Sequence, residues 1–63
     1  MDLDQYDAVV EKALILFKTK FSSWAEVTAE LVDDIEKLTL NMHAVEAVQV
    51  FALIVDDVEA QLE

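Results

Sequence analysis

The sequence predicts an all-α protein, built as a small three-helix bundle. Three observations point there. The 63 residues contain neither Gly nor Pro, the residues that punctuate chains and on which hairpin turns depend. Apolar residues recur at spacings of three and four, the period of a helix packed on one side. Where that pattern lapses, Ser, Thr and Asn gather, and these favour caps and turns over helix interiors. A helical hairpin that dimerises is the alternative architecture.

The first helix is expected over residues 3–19. Leu3, Tyr6, Val10, Ala13, Phe17 and Phe21 form its apolar stripe, widened by Leu14 on one side and by Val9 and Leu16 on the other. Asp2, Asp4 and Asp7 stand at its start and Lys18 and Lys20 at its end, the order that suits the helix dipole. The segment Thr19-Lys20-Phe21-Ser22-Ser23 is the expected break, with Ser23 and Glu26 spaced as a capping box. A heptad repeat of Leu3, Val10, Phe17, Trp24, Leu31 and Leu38 runs across that break, so a continuous coiled-coil helix is the competing reading.

The second helix is expected over residues 24–38, with Trp24, Val27, Leu31, Ile35 and Leu38 inward and Glu26, Glu30 and Asp33 outward. A second break is expected at Thr39-Leu40-Asn41, with Asn41 as N-cap. Phase supports it, because a helix continued through these residues would turn its two apolar stripes in opposite directions. The third helix is expected over residues 42–62, with Ala44, Ala47, Val48, Phe51, Val55, Val58 and Leu62 inward and Ile54 on the flank. The β-branched run from Val48 to Val55 would also suit a strand, but its helical phase matches its flanks and it has no strand to pair with.

The balance of residue types narrows function. The hydrophobic fraction is 56%, above the usual ~45–50% even though that range counts Gly. A domain this short buries only about 60% of the surface its unfolded chain exposes. Part of the apolar surplus is therefore expected at a dimer or partner interface, and a homodimer is the expected state. No Cys is present, so no disulfide or thiolate zinc site stabilises it. Fourteen acidic residues against four basic ones set a formal charge of −10. That opposes direct binding to nucleic acid and to anionic membranes, and favours cationic partners and steered association. The acidic start and the absence of a long apolar run lead to an expectation of a cytoplasmic protein.

Catalytic chemistry finds little footing. There is no Gly-rich phosphate loop, no Arg to clamp an anion, and one His. His43 and Glu46 stand at i, i+3, but bundle di-metal sites repeat their Glu and His ligands on several helices; neither a metal nor a cofactor is expected. The Asp-Ser-Leu attachment site of acyl carrier proteins has no counterpart, since Ser22-Ser23 lead into Trp24.

Two surfaces remain as candidates. The first is an acidic face of Glu26, Glu30, Asp33, Asp34, Asp56 and Asp57. It is expected to engage a protein with a basic surface, with mimicry of DNA toward a DNA-binding protein as the sharpest form and plain solubilisation as the alternative. The second is an apolar patch of Ile15, Val50 and Leu53 on otherwise polar faces. It suits self-association or an adaptor role. The expected function is thus a non-enzymatic binding module that inhibits or modulates a larger basic partner; a self-associating structural or adaptor protein is the alternative.

Overall fold

A computed structural model describes residues 2–63. Four helices follow in order: α1 (Leu3–Thr19), α2 (Trp24–Glu30), α3 (Val32–Leu38) and α4 (Ala44–Leu62), with no strand among the described residues. The protein is an all-α bundle. The expected second helix is present as two short helices. Leu31 separates them with φ −99° and ψ 9°, the bridge region between helix and extended backbone. Hydrogen bonds nevertheless continue through it: Leu31 N–H donates to Val27 O at 3.0 Å and Ile35 N–H to Leu31 O at 2.9 Å. The dislocation therefore does not end the apolar stripe, and Val27, Leu31 and Leu38 all stay buried.

Each helix start and stop has a local cause. Asp2 accepts from the backbone N–H of Asp4 and Gln5, satisfying donors that a helix start leaves free. Ser23 accepts from Glu26 N–H, and its hydroxyl donates to Glu26 Oε1 at 3.0 Å. Stops occur without Gly, and no described residue has positive φ, so the usual left-handed closure is not used. Lys20 and Phe21 N–H instead both donate to Leu16 O, at 2.9 and 2.8 Å. Thr19 and Thr39 hydroxyls donate to the carbonyls four residues back, Ile15 O and Ile35 O. The same Thr device thus closes α1 and α3.

The start of α4 differs from expectation. The chain turns through Met42 N–H to Thr39 O at 3.1 Å, and His43 is the cap residue, extended and without a side-chain bond. Asn41 therefore does not cap the helix, which begins two residues later than expected. Residues 39–42 form the turn, and Met42 within it is partly buried against the core.

α1 is the hub, packing closely against α4, α2 and α3, whereas α3 makes its close approaches to α1 and α2. Val9, Val10, Ala13 and Leu14 of α1 meet Val27, Leu31, Leu38 and the α4 residues Val50, Ile54 and Val58 in one core. Ala13 is fully buried, and its small side chain lets neighbouring elements approach α1 closely. Trp24 joins three helices. Its ring packs edge-on against Phe17 of α1 at 4.8 Å and Phe51 of α4 at 6.3 Å, the arrangement the aromatic quadrupole favours. Its indole N–H donates to Glu59 Oε1 at 3.3 Å.

Candidate partner-binding surface

The carboxylates singled out in the sequence divide between two regions. Glu26 and Glu30 are exposed on α2 and Asp33 on α3, so the row spans the dislocation at Leu31. Asp34 is half-buried and forms an ion pair with Lys12 of α1 at 3.2 Å. Glu30 and Asp34 line a shallow depression with Lys12, Ile15, Leu16 and Leu31. Asp56 and Asp57 are exposed on α4, and Asp57 accepts a hydrogen bond from the Tyr6 hydroxyl. That contact and burial of the phenol act together on Tyr6. Burial comes first, the Asp57 hydrogen bond second, and the negative charges of Asp57, Asp7 and Asp56 add to them, pushing its pKa up to about 12.

Among the described residues the Lys12–Asp34 contact is the single ion pair. Lying at the surface, it contributes no more than about 1 kcal/mol. The carboxylates are spread in rows rather than gathered: no three Asp, Glu or His side chains converge as a cation site among the described residues. What this arrangement can do chemically is project a negative field over α2, α3 and the end of α4, with little internal compensation.

The apolar patch requires correction. Ile15 and Leu53 are exposed, at 58% and 52%, but Val50 is buried at 8%. Its error is one of phase. The buried face of α4 is centred on Ile54, with Val50 and Val58 one turn to either side. Spacing alone centres the stripe nearer Val55, which sets Val50 at its border and Val48 within it. The structure reverses them: Val48 is 68% exposed and Val45 69%. With Ala44 and Gln49 they line an open apolar surface that the sequence reading did not single out. A signal was available. From Ala44 to Val55 only Glu46 is charged, and a helix that is apolar nearly all round presents more than one face.

No family model, curated protein or solved structure matches this chain.

The helices themselves include none long and apolar enough to cross a membrane, among the described residues.

Proposed function

We propose that this protein is a non-catalytic binding module that inhibits or modulates a larger partner with a basic surface. The observation that carries the reading is the uncompensated charge. Fourteen acidic residues face four lysines, and one of those lysines is engaged with Asp34. A field of this sign raises the encounter rate with a cationic surface and repels anionic ones. Exposed carboxylates on successive turns at Glu26 and Glu30, about 5–6 Å apart, support the sharper form of the proposal, in which the face stands in for DNA phosphates at a DNA-binding protein.

Capture from a cell lysate on the tagged protein, eluted with a salt gradient, tests this. Partners released at moderate salt and displaced by duplex DNA are the expected outcome. Replacing Glu26, Glu30 and Asp33 with Gln is expected to lower capture while the fold persists, because Gln at the Glu26 position still completes a capping box. Capture that ignores salt, DNA and the three substitutions would sink the proposal.

A further inference from the structure

We propose that the face of α4 formed by Ala44, Val45, Val48 and Ala52 is a docking surface for a cationic amphipathic helix of the partner. This rests on the acidic-module reading above and names where and how such a partner is held.

The four positions fall at helical spacings of three and four, so they form one stripe on one side of α4. All four are exposed. At about 100° per residue, Glu46 points well away from this stripe, leaving no charge on it from Ala44 to Ala52. Its openness follows from the packing: α3 lies against α1 and α2 rather than along α4. Continuing the stripe toward the C-terminus leads to Asp56, four residues after Ala52, and to Glu59, seven after it. The surface therefore reads as two turns of aliphatic side chains followed by carboxylates.

Charge selects the occupant. α4 contains Glu46, Asp56, Asp57 and Glu59 and no Lys or Arg. A second copy laid on this face would bring together two chains that each carry a net charge of −10, with no Lys or Arg on either α4 to offset it, a balance that selects against association. A small molecule gains little from a surface that does not enclose it. A helix with an apolar stripe bordered by Lys or Arg satisfies both parts, with its aliphatic residues on Val45 and Val48 and its cations at Asp56 and Glu59. Glu59 accepts the Trp24 indole N–H through Oε1, and a carboxylate retains further acceptor sites after one such bond.

The test uses the full chain and a fluorescent synthetic peptide with Leu and Lys at helical spacing. A peptide of identical composition, its helix broken by D-residues, is the control. The parent is expected to bind the helical peptide more tightly than the control. Val45→Gln with Val48→Gln, both at exposed positions, is expected to weaken the helical peptide about tenfold with unchanged circular dichroism. Equal affinity of this double variant and the parent overturns the docking surface. So does a parent that sediments as a dimer which the double variant dissociates, because the face then belongs to a second copy. If binding survives Val45→Gln and Val48→Gln but falls with salt and with Gln at Glu26, Glu30 and Asp33, the acidic reading stands and this surface falls alone. If neither peptide binds at low salt, both fall.

Discussion

At Tyr6 the phenol and a carboxylate meet across α1 and α4, and the contact has a consequence in pH. The folded protein holds the Tyr6 pKa at about 12, above its ordinary 10.0, so the neutral phenol is favoured by folding. Its contribution is complete below the unfolded value and is lost as pH rises from 10 through 12. Titration of the phenolate absorbance should place the midpoint near 12, and Asp57→Ala should lower it toward 10 by removing both the hydrogen bond and the nearest negative charge. An ordinary midpoint in the parent would show that the contact does not persist in solution. Trp24 illustrates the same scale differently. The sequence marks it as a core residue by spacing, and it is half-buried against the core. Its bond to Glu59, 35 residues away, has no local signature.

Among the elements, α2 depends most on its ends. It has seven residues, too few to persist alone, since isolated helices below ~12–15 residues are marginal in water. Ser23 supplies its N-cap bond, and Val27 its fully buried contact. Ser23→Ala is therefore expected to cost about 1 kcal/mol, lowering Tm by roughly 4–8 °C in a domain of this size. A thermal melt by circular dichroism checks this, and an unchanged Tm would mean that packing alone holds the start of α2. The break before α2 was legible because Ser residues concentrate there. The dislocation at Leu31 was not, because Leu31 belongs to the apolar stripe and no Gly, Pro or capping residue marks it. Nor was the late start of α4. Asn41 has the right chemistry for a cap, but the chain is still turning there and His43 stands at the cap position.

For the whole molecule, the governing fact is a charge of −10 on 7.1 kDa. Its accessible surface is 4376 Å², close to the ~4,100 Å² that a compact monomer of this mass exposes. The radius of gyration, 11.1 Å, is likewise near the ~10.6 Å scaling value for this length. The carboxylates are thus held close together on a small body, and their repulsion opposes folding. Raising ionic strength from about 0.01 M to 0.15 M shortens the screening length from about 30 Å to 8 Å. The expected result is a higher Tm in the parent, and a smaller gain when Glu26, Glu30 and Asp33 are replaced by Gln. A Tm that falls with salt would mean that attractive pairs outweigh the repulsion.

The sequence by itself determined the helical class, the limits of α1, the capping of α2, the inward residues of α1 and α2 apart from Leu3, which is 67% exposed at the start of α1, and the acidic character of the surface. Each of these follows from local chemistry: apolar period, cap residues, and charge that burial does not tolerate unpaired. The tertiary structure alone decided which side of α4 faces the core. That helix is apolar around most of its circumference from Ala44 to Val55, so its own pattern specifies no unique inward direction. The choice falls to its neighbours. α1 and Trp24 claim Val50, Phe51, Ile54 and Val58, and α3, seated on α1, leaves Val45 and Val48 in the open.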